Sequence, residues 1–105
     1  IKVGIFPLVN KIRKEGREVF DTLKREFTCR FDSSGSIGRR YARADEKGIP
    51  FCVTVDFEYA EKGTVTIRDR ETTRQIKVKA EELKDVLRKL LDSEIDFLKA
   101  GTLKE

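Results

Sequence analysis

The run SSGSIGRRYARADEKGIPFCVTVD, residues 33–56, constrains the fold more than any other segment. Ser33, Ser34, Gly35 and Ser36 make a turn. A short helix is expected over about 37–47, with Ile37, Tyr41 and Ala44 on its inner face. Gly48 stops that helix and Pro50 lies just beyond. Residues 51–57, FCVTVDF, are apolar enough for a central strand in parallel pairing. Glycines, an arginine-rich helix and a buried strand thus arrive in strict order.

The flanking segments supply partners for that strand. Residues 1–6 (IKVGIF) read as a strand stopped by Pro7. Residues 9–27 read as an amphipathic helix capped by Asn10, with Ile12, Val19, Phe20, Leu23 and Phe27 at helical spacing and Gly16 as a weak point. Residues 28–32 (TCRFD) form a short second strand, parallel to the first because a helix separates them. Residues 58–63 turn the chain. Residues 64–69 alternate, with Val65 and Ile67 on one face and Thr64, Thr66 and Arg68 on the other. After a turn at Arg70–Thr73, Gln75–Lys79 alternates again, and 80–91 form a last helix with Ala80, Leu83, Val86, Leu87, Leu90 and Leu91 inward. Ile95, Phe97 and Leu98 give the tail apolar surface suited to docking on a neighbouring domain. The expected order is β-α-β-α-β-β-β-α: an α/β domain with a five-stranded mixed sheet flanked by three helices, its fourth strand running against the others. Residues 1–105 make one domain.

Composition narrows the function. Histidine is absent, and Cys29 and Cys52 sit in apolar, strand-like runs, so reduced core thiols are expected and no usual zinc site can form. Ser33, Ser34 and Ser36 flank glycine without a GxSxG elbow, and G-S-I-G is neither a GxGxxG fingerprint nor a phosphate loop. Asp32, Asp45, Asp56 and Asp69 suit turns and caps better than an acid/base pair. No catalytic residue is assigned. Residues 1–9 are too short and too interrupted for a signal peptide or a membrane span, and a start at Ile1 fits a fragment or a processed chain.

Binding fares better. The net charge of +4 is uneven: residues 1–45 carry 11 Lys and Arg against 6 Asp and Glu, a net +5, whereas residues 80–105 carry 5 against 7, a net −2. An anionic partner would dock on the first half. Ser36–Gly38 opens a helix whose free N–H groups favour an anion, and Arg39, Arg40 and Arg43 crowd it as phosphate contacts; a solvated face paired to Asp45 and Glu46 is the plainer reading. Arg68, Asp69 and Arg70 sit at a strand end, where arginine can bond the edge of an unstacked base and aspartate can accept from an amino group; a charged hairpin tip is the alternative. Phe57 and Tyr59 can stack on bases, although Phe57 suits the core better.

The run 33–56, followed by GTVTIRDRETTRQI, resembles the C-terminal anticodon-binding domain of class II aminoacyl-tRNA synthetases. The frame G-x-x-G-R-R-Y-x-x-x-D-x-x-G-x-P-F is shared with the threonyl, prolyl and histidyl relatives, whereas VTIRDR-x-T-x-x-Q-I points to glycyl-tRNA synthetases of archaeal and eukaryotic type. The resemblance implies a five-stranded mixed sheet with three helices. It also implies anticodon contacts near Phe6 and Pro7, near Asp32, Ser33 and Ser34, and at Glu58, Tyr59 and Arg68, with Asp69 a further acceptor and Arg39, Arg40, Arg43 and Arg70 on phosphates. Related domains often carry Asn where Ser34 stands. The implied partners are glycine tRNA isoacceptors and a parent catalytic domain, in a homodimeric cytoplasmic enzyme that touches no membrane. ATP and Mg belong to that catalytic domain, and this one takes no cofactor. A synthetase-like accessory protein, using the same fold for protein or DNA contacts, is the competing reading.

Overall fold

The structure is a computed structural model that describes residues 1–104. Six strands form one sheet: β1 (Val3–Pro7), β2 (Cys29–Phe31), β3 (Phe51–Val55), β4 (Thr64–Asp69), β5 (Gln75–Lys79) and β6 (Thr102–Lys104). Their spatial order is β2-β1-β3-β4-β5-β6. β1 pairs in parallel with β2 and β3, and the remaining pairs are antiparallel. Four α-helices complete the chain: α1 (Arg13–Leu23), α2 (Ile37–Glu46), α3 (Glu58–Lys62) and α4 (Leu83–Leu91). The α/β class and the reversed direction of β4 match the sequence reading. The sheet has six strands rather than five, because the tail folds back: Phe97 stacks on Phe51 with ring centroids 6.3 Å apart, and Leu103 pairs with Ile76. Residues expected to turn the chain at 58–63 instead form α3, whose first turn is capped by Asp56 Oδ1 accepting from Glu58 N at 2.9 Å.

Side-chain alternation divides the sheet into two faces. Val3, Ile5, Val53, Val55, Val65, Ile67, Ile76 and Val78 face a large core closed by Val19 and Leu23 of α1 and by Leu83, Leu87 and Leu90 of α4. Burying each such side chain contributes about 1.5–3 kcal/mol, so this face dominates stability. Phe6 and Cys52 face the other way, into a smaller cluster with Ala44 and Ile49 that α2 covers with Ile37 and Tyr41. Beyond α2, the same face of β4 and β5 carries Thr66, Arg68, Gln75 and Lys77 in a polar strip. Cys29 and Cys52 are free thiols on opposite sides of β1, and burial pushes Cys52 up to about 12.

Two local devices fix α2 and β1. Gly48 has φ 73°, and it and Ile49 donate to Asp45 O at 3.1 Å and Ala44 O at 3.0 Å, satisfying the last carbonyls of α2. Ile49 then packs back on Ala44. Pro7 does not stop β1 but ends it in register with Val55. Ile5 O accepts from Asp32 on the β2 side, and Leu8 N donates to Val55 O on the β3 side. Odd-numbered residues of β1 therefore face β2, and at Pro7 that strand has already ended, so the missing N–H breaks no ladder bond.

The docking of β6 depends on a close approach at Gly101. A Cβ there would lie 2.5 Å from Lys77 O and 2.7 Å from Val78 Cγ1. We expect Gly101→Ala to detach β6 while the other five strands persist. Amide exchange along the outer edge of β5 should then accelerate selectively; wild-type protection at residues 75–77 would contradict the packing.

Candidate nucleic-acid interface

The chain leaves β1 through α1 to reach β2 on one side, and leaves β2 through α2 to reach β3 on the other. α1 packs on one face and α2 on the opposite face. β1 is therefore a topological switch point, and ligands of open α/β sheets bind outside the carboxyl ends of such strands. Residues 7–10, 32–36 and 56–58 lie there. Ser36 caps α2 at this end, accepting from Arg39 N at 3.3 Å.

Two arginines of α2 organise this edge. Asp32 Oδ1 accepts from Ser34 N and Ser34 Oγ, both at 3.0 Å, in a tight turn. Asp32 Oδ2 accepts from Arg43 Nε at 3.0 Å, and Arg43 Nη2 donates to Ser34 O at 2.7 Å. Burial alone would raise the Asp32 carboxyl, but Ser34 and Arg43 outweigh it and hold it below its ordinary value. Arg40, only 3% exposed, donates from Nε to Ser34 O at 3.3 Å, from Nη2 to Gly35 O at 2.9 Å and from Nη1 to Pro7 O. One buried guanidinium thus joins the ends of β1 and β2. Arg13 Nε adds a bond to Ser33 Oγ at 3.2 Å.

A second group lies on the polar strip, on the opposite flank of α2. Arg68 donates to Asp45 Oδ1 at 3.0 Å and Oδ2 at 3.4 Å, and its guanidinium carbon sits 4.6 Å from the Tyr41 ring centroid. Tyr41 is fixed in turn by a 2.6 Å bond between its hydroxyl and Thr54 Oγ1. Of the five guanidinium N–H groups, two face Asp45 and three have no protein acceptor among the described residues. The Arg68 side chain is 12% exposed, so a base edge can reach only its uncovered margin. In the adjacent cross-strand row, Lys77 Nζ lies 2.8 Å from Glu58 Oε2. The Lys77 bond is the main cause holding the Glu58 carboxyl below its ordinary value, and both of its oxygens accept from Lys77 Nζ. The two rows are two residues apart along β4, about 7 Å.

The expected site residues therefore separate. Ser33 and Ser34 stay at the surface of the strand-end loop, whereas Asp32 is committed to Arg43. Glu58 and Arg68 share the polar strip. Phe6 is 1% exposed and packs on Tyr41, and Pro7 is buried, so neither side chain can meet a base; only their backbone borders the site. Tyr59 packs toward Val19 and Leu83 on the large-core side, away from Arg68. Asp69 is buried and accepts from Glu71 N, Thr72 N and Thr72 Oγ1, which makes it the organiser of the β4–β5 turn rather than a base acceptor. Of the arginines expected on phosphates, Arg39 is free and exposed, while Arg43 is half-exposed and paired. Arg40 is structural, its N–H groups taken by carbonyls. Arg70 donates to Asp45 O at 3.1 Å and pairs with Glu71. Phe57, expected in the core, is 48% exposed beside the end of β3, and Val9 is 40% exposed beside the end of β1. The Tyr41–Asp45 support for Arg68 was open to detection as an i, i+4 pair on α2.

Residues 2–90 match the family model described as "Anticodon binding domain". The chain is 45% identical over 104 residues to a glycine–tRNA ligase of Methanothrix thermoacetophila, covering 96% of this chain and 18% of the relative. It is 50% identical over 105 residues to that of Archaeoglobus fulgidus, again 96% and 18%, and 47% identical over 95 residues to that of Aeropyrum pernix, 87% and 16%. The chain thus spans less than a fifth of the length of these relatives.

Arg40 and Arg39 are adjacent in sequence and opposite in role. Arg40→Ala should lower unfolding stability by about 1–3 kcal/mol, because it removes a buried side chain and leaves Pro7 O without its donor, whereas Arg39→Ala should stay within about 0.5 kcal/mol of wild type. Urea unfolding of both variants checks this; equal effects would contradict the assignment.

Proposed function

Because this chain belongs to the anticodon-binding domain family, we propose that it is the tRNA-selecting part of a glycine–tRNA ligase. The match to that family over residues 2–90 carries the reading. The N–H groups of Arg68 not turned to Asp45, with the guanidinium fixed over Tyr41, support it chemically, and the Glu58–Lys77 pair lies one cross-strand row away. Glycine anticodons end in two cytosines. A cytosine edge offers acceptors N3 and O2 and one amino donor, which Arg68 and Glu58 complement respectively. The loop at Ser33 and Ser34 borders the same end of the sheet as Phe57, whose exposed ring suits a stacked base.

Base contacts then set the choice of tRNA, and phosphate contacts supply salt-dependent affinity. Under this reading, aminoacylation with ATP and Mg belongs to a catalytic domain outside this chain, in a homodimeric cytoplasmic enzyme. No helix among the described residues is long and apolar enough to cross a membrane. The accessory-protein alternative is disfavoured, since the relatives matched bear the name of a ligase.

Titration with glycine tRNA and with a variant altered at both anticodon cytosines tests the proposal. The cognate RNA should bind more tightly, and Arg68→Ala should cost about 1–3 kcal/mol for cognate RNA and less for the variant. Equal affinities for the two RNAs would overturn the base-reading model.

A further inference from the structure

A shallow basic cleft runs along the flank of α2 that faces away from Arg68. Arg30, Arg43 and Lys47 rim it, and Phe6, Ala44 and Ile49 form its floor. Arg30 points here because Cys29 and Phe31, its neighbours on β2, turn toward the large core. With Arg40 beneath, four basic groups meet the one acid Asp32, a net of +3. Arg40 spends its N–H groups on carbonyls and Arg43 is paired with Asp32. Arg30 and Lys47 are exposed, and neither has an acidic partner among the described residues. Arg39, Arg43 and Lys47 also recur every four residues, so basic side chains line one ridge of α2 and its C-cap over about 12 Å, the rise of three to four nucleotides along one strand, with Arg43 in the middle paired to Asp32.

We infer that this cleft, with Arg30 and Lys47 as its principal cations, is a phosphate-binding track for the RNA backbone. The inference rests on the tRNA-binding reading above. Its cavity volume of about 10 Å³ encloses no pocket for a base, so RNA contact here falls to the side chains on the rim, whose charge suits phosphate rather than base edges. Through Asp32 and Arg43 it is continuous with the loop at Ser33 and Ser34, so one RNA strand can lie on both. The competing role is local: Lys47, the C-cap of α2, also favours its carbonyl end, and Arg30 covers the apolar floor from β2.

The test is a double variant, Arg30→Ala with Lys47→Ala, titrated with glycine tRNA and with the anticodon-altered tRNA between about 20 and 200 mM salt. The slope of log K against log salt should become shallower by about 1.4–1.8, for the loss of two phosphate contacts. Affinity should fall by the same factor for both RNAs, leaving discrimination unchanged. An unchanged slope would overturn the track, and a lower melting temperature in that case would assign the two residues to local structure. An equal change of slope in Lys84→Ala with Lys89→Ala, on α4, would also overturn it, by showing that net charge alone acts. Absence of any binding by the unmodified chain at the lowest salt would sink it too. Failure of the anticodon reading shows separately, as equal affinities of the unmodified chain for the two RNAs while the double variant still loses slope.

Discussion

A charge buried without partners is too costly to keep, and the guanidinium of Arg40 meets that constraint by taking the carbonyls of Pro7, Ser34 and Gly35. Those carbonyls belong to the last residue of β1 and to the loop after β2. The same charge that must be satisfied therefore ties the two strand ends into one edge. Arg43 extends the tie outward to Asp32, and the Ser36 cap fixes where α2 begins. The edge at which a switch-point sheet receives ligands is thus held by hydrogen bonds rather than by apolar packing.

Framing and reading fall to different side chains. The glycines, Pro50 and the inner face of α2 set geometry, and Arg40 and Asp69 are consumed in doing so. What the frame leaves for a ligand is the part of Arg68 not turned to Asp45, the Glu58–Lys77 pair and the exposed ring of Phe57. α2 stands between the strand-end loop and the polar strip, with Arg43 reaching one and Asp45 the other. The site is accordingly two patches on either flank of one helix, a shape suited to several splayed nucleotides rather than to one enclosed ligand.

The chain from Ser36 to Val55 was legible because its signals are local: a serine-glycine turn, helical spacing, a glycine stop and an apolar run. The doubly paired strands β4 and β5 showed themselves by alternation. β6 did not, because three residues, Thr102–Lys104, become a strand only where β5 offers them an edge. α3 has five residues, too few to stand out by periodicity, and depends on Asp56 for its start. Arg39 and Arg40 are chemically alike, and one helical step decides which is buried. The clue was present, since Arg40 falls on the stripe of Ile37, Tyr41 and Ala44 at i+3. Asp69 misled for a related reason: the alternation that points Arg68 to the polar face turns Asp69 inward, where the Thr72 turn claims it.

Backbone amide resonances, followed while a glycine anticodon stem-loop RNA is added, test the central claim most directly. The account predicts shifts concentrated at residues 32–36, 56–58, 66–68 and 75–77, on the two flanks of α2, with the outer faces of α1 and α4 undisturbed. Shifts confined to the helical face around Val19, Leu83 and Lys84 would contradict it.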